Sequence, residues 1–513
     1  MKQLLVFSLL ILQSGLAQDS LFLRVIVPGR DTVRTSAPRY RVSASTLPGA
    51  RAFIDDVEAR VYPTGGFGGM FASNRDTMVH RLLAIGPAGD SLVREFVFIR
   101  PERMRTSPRD TLVIEEAMMR PEEDLWLTAG DVLEVRFKGS PGWDATFDIP
   151  DVECGIPMRE VAPREPGGVG GIYVGRYVVK PDDEALGVPV EFRLKRSFFS
   201  RKYAETKAKL WIMPDSLPRT AEVVGRKPFL NVGLGSDRLG GAKLGYLQPG
   251  ALVRVTGKIA GQYRIRLSEQ MEAWLPEEYA RFLPVDASLP TSLTGSISVT
   301  GSDSDDVVLV GLSTRLPYSS DQLTDPNAIV VDVFGATSNT NWITHQLSAQ
   351  GITSVKWNQV AADQYRLTIG LKHRQHWGHD IDYVGSSLRI RVRRPPVVAD
   401  TARPLAGMTI AVDAGHGGSN RGALGSTGVE EMFVNLAIAR QLDSILTSRG
   451  AKTVMTRTGE EGPSMPDRTD VIIGSGAHVL VSIHCNSTGE TSDPLQVAGT
   501  SAYYRYNGFK PLA

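Results

Sequence analysis

Cysteine is scarce: 513 residues contain Cys154 and Cys485 and no others. The two stand in segments of different texture, so a bridge between them is not favoured and cores, not disulfides, must hold the fold. A surplus of charge is missing too, since 57 Lys and Arg oppose 56 Asp and Glu for a net +1. Nucleic-acid and general polyanion binders carry a basic excess, so that class of partner is excluded. No apolar run is long enough to span a bilayer. The most apolar one, Leu4 to Leu12, follows Lys2 and precedes Gly15-Leu16-Ala17. That pattern is a secretory signal peptide over residues 1–17, with no cysteine behind it to carry a lipid, and an exported periplasmic or extracellular protein is expected.

What the chain has in quantity is turn residues, 51 Gly and 31 Pro, which favour many short strands over long helices. Its length suggests roughly three to five domains. Two N-terminal segments look alike, "PGARAFIDDVEARVYPTGGFGGMF" from Pro48 and "PGWDATFDIPDVECGIPMREVAPREPGGVGGIY" from Pro141. Flanked by alternating runs such as "VLEVRFK", they predict two related β-sandwich-like modules, 18–118 and 119–216. Their glycine clusters read as bulges or tight turns before they read as a ligand loop.

Residues 217–286 alternate in period two between compact turns. "G-x-L-x-x-G" at Gly245 to Gly250, "VRVTGK", "YRIRL" and Trp274 resemble the bacterial SH3-like family, which implies an SH3-like barrel and cell-wall peptides as ligands, with a plain spacer as the alternative. "VVLVGLSTRLPY", "IVVDVFGA" and "QYRLTIGL" mark a further β module over 290–394 that loosely resembles AMIN domains. It contains "HRQHWGHD", with His373, His376, His379 and Asp380. Strand-like flanks make this a polar hairpin tip, not a metal site. Residues 395–407, rich in Pro and without periodicity, are a linker.

From Met408 the pattern changes to β-α-β. "MTIAVDA" is a continuously apolar strand, and Glu431 to Arg449 predicts a helix with Val434, Ile438, Leu442 and Ile445 as its apolar stripe. "KTVMTR" and "HVLVSIHCN" are further strands. The Gly-His-Gly-Gly after the first strand invites a phosphate reading, but no Lys-Ser/Thr pair follows and a dozen residues separate it from the helix. A metal fits better: His416, Glu431 and His484 are two imidazoles and a carboxylate, a set that holds zinc with a position left open. Alternation turns Cys485 away from His484, and His478 lies about 20 Å off at the strand's other end. By spacing alone, the histidines could equally be hydrogen-bonded loop residues.

"VDAGHGG", "GVEEMFVNLAIA", "MTR" and "LVSIHCNS", in that order, closely resemble the zinc-dependent N-acetylmuramoyl-L-alanine amidases of the amidase_3 type. The resemblance implies an α/β zinc-hydrolase domain over 408–513 with Zn2+ on His416, Glu431 and His484. Glu431 is preferred to Glu430 because it stands three residues before Val434. The implied reaction splits the amide between the lactyl group of N-acetylmuramic acid and L-alanine. The implied partner is peptidoglycan, with an activator protein as a further candidate. The family's general-base glutamate belongs to a late strand, and the sequence offers no counterpart before Ala513; "GTSAYYRYNGFKPLA" resembles the family's next strand and the start of its helix. Glu490 is the nearby carboxylate, but its position does not match. The chain therefore reads as an exported multidomain amidase, mostly β upstream, whose catalytic domain is cut short and whose hydrolysis is expected to be weak or absent. The alternative is a non-catalytic peptidoglycan-binding protein carrying an inactive amidase remnant.

Overall fold

In Arg39–Thr46 the side chains of Tyr40, Val42 and Ala44 are buried and those between them are not, the period-two signature of a strand with one face on a core. Strands are the main regular element among the described residues. The structure is a computed structural model that describes residues 20–102, 104–163, 168–213, 217–237, 240–398 and 400–513. The signal-peptide segment lies outside them. The described chain divides into two compact units, residues up to 102 with Val398–Ser501, and Met104–Val397 with Ala502–Ala513.

The first unit opens with a β-sandwich. Counted from Leu23–Val27 to Ser91–Ile99, its first, third and sixth strands form one sheet. The second, eighth, seventh, fourth and fifth form the other, in that order. Phe71, Phe96 and Phe98 fill the space between. In the second unit, strands counted from Ile114–Arg120 to Arg201–Ile212 repeat the same two orders. Even the parallel pairing of second and eighth strands recurs. The difference is that the fifth strand pairs with both fourth and sixth, merging the sheets. Because Ile114–Arg120 is the first strand of this second sandwich, its module begins well before the expected residue 119.

The glycine clusters are sites of close backbone approach. Gly65 and Gly171 have φ of 81° and 80°, and a Cβ on either would overlap a carbonyl of the third strand, Thr46 O or Gly139 O. Their own carbonyls accept from Thr46 N–H at 2.9 Å and Gly139 N–H at 2.8 Å. Gly65 opens its cluster whereas Gly171 closes its own, so the two clusters are not equivalent position by position.

Strands from Arg219–Val223 to Ala280–Phe282 then pack antiparallel around Val253, Val255, Ile265 and Leu275. A nine-stranded sandwich follows from Ile297–Gly301 to Ser387–Arg393, its two sheets sharing one core around Val308, Val331, Leu367 and Ile390. Here "HRQHWGHD" differs from expectation. It links Gln364–Leu371 in one sheet to His379–Val384 in the other, and His376 is fully buried, its Nε2 meeting the Leu323 carbonyl at 3.1 Å. A sheet-to-sheet crossing has to be packed where a hairpin tip would be solvated. Ala502–Ala513 forms no strand: it ends in a 3-10 helix, Asn507–Leu512, with Tyr506 packed on His379 at 5.5 Å between ring centroids.

The α/β domain completes the first unit. Its strands are labelled β1 (Thr409–Ala414), β2 (Lys452–Met455) and β3 (Val479–Ile483), its helices α1 (Glu431–Ser448) and α2 (Met465–Gly474). The sheet is parallel, with β1 between β2 and β3. Helix α1 runs from the extended cap Glu430 to Gly450, whose φ of 90° ends it. Its buried stripe is Met432, Asn435, Leu436 and Ala439, with Leu442 and Leu446 below. Ile438 and Ile445, expected on that stripe, are exposed. The chain had placed apolar residues on both faces, and periodicity alone selected the wrong one.

Candidate metal centre

The chain leaves β1 for β2 on one side and later reaches β3 on the other, so a crevice opens at the carboxyl ends of these strands. His416 comes two residues after β1, and His484 directly follows β3. Glu431 is the first residue of α1. His416 Nε2, His484 Nδ1 and Glu431 Oε1 form a triangle with every side 3.2 Å. Two ligands about 2.0–2.1 Å from a tetrahedral zinc lie about 3.3 Å apart, so the triangle has the dimensions of one face of such a site. Glu431 is at the base, 6% exposed, while His484 at 48% stands at the open side.

Hydrogen bonds fix how each donor faces this point. Asn420 Oδ1 accepts the Gly422 N–H at 3.3 Å and lies 2.9 Å from His416 Nδ1. An atom that accepts from a peptide is the amide oxygen, so His416 Nδ1 carries the proton, and the neutral ring presents the Nε2 lone pair. Glu431 Oε2 accepts from Ala423 N–H at 2.8 Å, while Oε1 accepts from Cys485 N–H at 2.8 Å and the Asn435 amide at 3.2 Å. Burial pushes this carboxyl up, but those two peptides, the Asn435 amide and His416 outweigh it and hold it below the usual range. The group is thus an anionic ligand and a poor proton acceptor.

Glu430 turns away and pairs with Arg421 at 3.0 Å, so the structure brings Glu431 and not Glu430 to the histidines. Cys485 also stays off the triangle: its thiol lies 3.4 Å from Asn435 Oδ1, and burial raises it. Both cysteines are free. His478 is structural, accepting the Thr409 N–H on Nδ1 at 2.9 Å. Glu490 is engaged elsewhere within its unit, its carbonyl accepting Arg41 N–H at 2.6 Å and its carboxylate the Tyr40 phenol. Two glycines bear directly on the site: a Cβ on Gly415 would overlap the His484 imidazole, and one on Gly422 would overlap His416 and Glu431. Gly417 and Gly418 instead let the loop close on the backbone of Glu461 and Gly462.

Residues that sequence reasoning passed over hold this loop. Arg468 of α2 donates to Asp413 Oδ1 at 2.6 Å, to Ala414 O at 2.9 Å and to His416 O at 2.6 Å. Arg457, 2% exposed, donates to Ala414 O at 2.8 Å, Gly415 O at 3.0 Å and Met432 O at 2.8 Å. Asp413 also accepts Thr456 and Ser482 hydroxyls at 2.6 Å. Two buried guanidinium groups thereby satisfy the carbonyls of the turn that aims His416. Two signals were readable: Asn435, a polar interruption of the apolar helix face in "FVNLAIA", and the "MTR" motif that holds Thr456 and Arg457.

Fold and donor set define the class: an α/β domain with a candidate metal centre where its parallel strands end. Comparison shows what two of its segments are similar to. Residues 410–511 match the family model described as N-acetylmuramoyl-L-alanine amidase, and residues 296–393 match that of the AMIN domain. The uncharacterized protein YqiI of Bacillus subtilis is 35% identical over 107 residues, 21% of this chain and 49% of that protein. The sporulation-specific N-acetylmuramoyl-L-alanine amidase of Bacillus subtilis is 42% identical over 84 residues, 16% of this chain and 32% of that protein. Among solved structures, the amidase AmiC2 of Nostoc punctiforme is 33% identical, covering 16% of this chain and 47% of that one with a TM-score of 0.16. The chain spans about half the length, or less, of the curated relatives it matches.

Proposed function

We propose that the protein is an exported N-acetylmuramoyl-L-alanine amidase that holds zinc on His416, Glu431 and His484 and acts on the lactyl-L-alanine amide of peptidoglycan. The observation that carries this reading is the 3.2 Å triangle of donor atoms in a segment that matches the amidase family model. Two imidazoles and one carboxylate suit zinc better than the hard cations, which prefer all-oxygen sets. A zinc ion bound there supplies Lewis-acid polarisation of the amide carbonyl and acidifies a water. Glu431, held by peptide and amide donors, keeps its charge and orients the site instead of moving a proton. His484, the most exposed of the three, lies on the side from which a glycan strand with its stem peptide can approach.

The upstream modules fit the same setting. The AMIN match at 296–393 and the SH3-like reading of 217–286 both suggest contact with the cell wall, which would bring the hydrolase domain to its polymer. No helix among the described residues is long and apolar enough to cross a membrane. The test is to load residues 18–513 with zinc and incubate them with purified peptidoglycan. Release of stem peptides, lost in His416→Ala, supports the amidase. Wall binding with full zinc occupancy and no release leaves the non-catalytic reading.

A further inference from the structure

The repeated sandwich provides an internal comparison. In the first copy, residues 86–90 join the seventh and eighth strands, Thr77–Ile85 and Ser91–Ile99, with Gly86 N–H donating to Asp90 O at 2.8 Å. In the second, residues 196–200 join Ala185–Lys195 to Arg201–Ile212, and Arg196 N–H donates to Ser200 O at 3.0 Å. Loop length and closing bond are alike, yet the first reads Gly-Pro-Ala-Gly-Asp and the second Arg-Ser-Phe-Phe-Ser. The turn itself requires nothing of the second sequence.

That tip is costly in water. Phe198 is 71% exposed and Phe199 94%, side by side. Lys195 and Arg201 stand directly opposite each other across the hairpin, a like-charge pair that weakens it. Lys202 adds a third cation, and the acidic residue closest in register is Asp144, across from Lys195 on the other neighbouring strand. Arg196 is anchored below, donating to Asp110 O at 2.6 Å and lying 5.7 Å from the Trp143 ring. The two phenyl rings meet edge to face, at 5.1 Å and 85°, so they form no flat platform for stacking on a sugar. Two protruding apolar wedges ringed by cations match an interface with acyl chains beneath and anionic headgroups around.

We propose that the hairpin tip Arg196–Ser200 is a membrane-contact point, with Phe198 and Phe199 entering an anionic bilayer surface and Lys195, Arg201 and Lys202 meeting its headgroups. The inference stands apart from the amidase reading, because it involves neither the metal centre nor the wall polymer. Co-sedimentation of residues 18–513 with phosphatidylglycerol-containing vesicles, compared with pure phosphatidylcholine vesicles, tests it. Binding should favour the anionic vesicles and weaken as salt is raised. Phe198→Ser with Phe199→Ser should lower partitioning by about tenfold or more. Arg201→Gln with Lys202→Gln should lower it by roughly fivefold per charge. Neither pair should lower the melting temperature, since all four side chains are exposed. Absence of binding to anionic vesicles, or binding by both double variants at the unaltered level, overturns the proposal. So does a phenylalanine variant that loses affinity for purified peptidoglycan sacculi while holding vesicles as before, which would make the partner the wall.

Discussion

His416 Nε2 and His484 Nδ1 face each other across 3.2 Å, with ring planes 79° apart and Glu431 Oε1 equidistant from both. With a proton on Nδ1, the neutral His416 ring aims its Nε2 lone pair at an imidazole and a carboxylate. One proton on His484 Nδ1 can serve Glu431 or His416, but three mutual contacts among three such atoms ask for more positive charge than it supplies. A cation at the centre satisfies all of them at once.

Zinc titration followed by equilibrium dialysis should therefore give one ion per chain. His416→Ala and His484→Ala should each reduce affinity by at least about a hundredfold, as outer partners alone are worth 10–100-fold. Full stoichiometry in both variants would refute the ligand assignment.

Asn420 tests the orientation argument separately. It is exposed and contributes little packing, yet it fixes the His416 tautomer. Asn420→Ala should weaken zinc binding by about 10–100-fold while the metal-free protein melts as before. An unchanged zinc affinity would mean that the ring is held by the loop alone.

Gly415→Ala places a methyl where the His484 ring lies, and the ring must swing out to the solvent side. Zinc affinity should fall as far as in His484→Ala, although every donor is still present. Retained affinity would show that the turn can yield.

Much of this centre was legible in the sequence, and what escaped had physical reasons. Strand ends and the histidines beside them follow from local pattern, whereas the preference for Glu431 over Glu430 came from the resemblance of "GVEEMFVNLAIA" to the amidase family. The buried stripe of α1 was misjudged, since Ile438 and Leu436 are equally apolar and only tertiary packing selects between them. Arg468 gave no signal: its role depends on α2 folding back over β1, a contact between residues 55 apart with Asp413. The different places of Gly65 and Gly171 in their clusters were hidden for a similar reason, as "GGFGG" and "GGVGG" are alike in letters but one strand begins at Gly66 and the other at Ile172. The crossing at His376 escaped because two strand-like flanks suggest a hairpin unless the sheet assignment is known.

The Asp413–Arg468 pair, 2.6 Å apart with 11% and 7% exposure, should dominate the acid stability of the α/β domain. Burial raises the Asp413 carboxyl, but bonds from Ser482, Thr456 and Arg468 hold it below the ordinary range. A depressed folded value contributes stability above the unfolded value, near 4, that is lost as pH falls through the folded one. Melting in the presence of chelator should thus fall steeply below about pH 4, and less steeply in Asp413→Asn. Arg468→Met should cost about 3–5 kcal/mol at neutral pH by leaving the carboxylate unpaired. Equal acid slopes for wild type and Asp413→Asn would count against the pair.

His379 sets a second, higher acid window in the AMIN-matching module. Its Nε2 lies 2.9 Å from the Ser320 hydroxyl, its Nδ1 3.3 Å from the Gln322 amide, and Tyr506 covers the ring. Burial pushes its pKa down to about 4, helped by His376 and Arg505 and opposed by Asp380 and Asp321. The unfolded imidazole titrates near 6.5, so between about pH 6.5 and 4 the unfolded chain binds more protons. Stability in that window must rise with pH, and acidification should remove up to about 3 kcal/mol from the module. His379→Gln cannot titrate and keeps a polar group within reach of Ser320, so it should lose less stability than wild type across the same range, the remainder coming from His376, which burial also pushes below the ordinary imidazole value. Hydrogen exchange of residues 296–393 at pH 6.5 and 4.5, corrected for intrinsic rates, reads the difference, and a variant that loses as much protection as wild type would remove His379 as the cause.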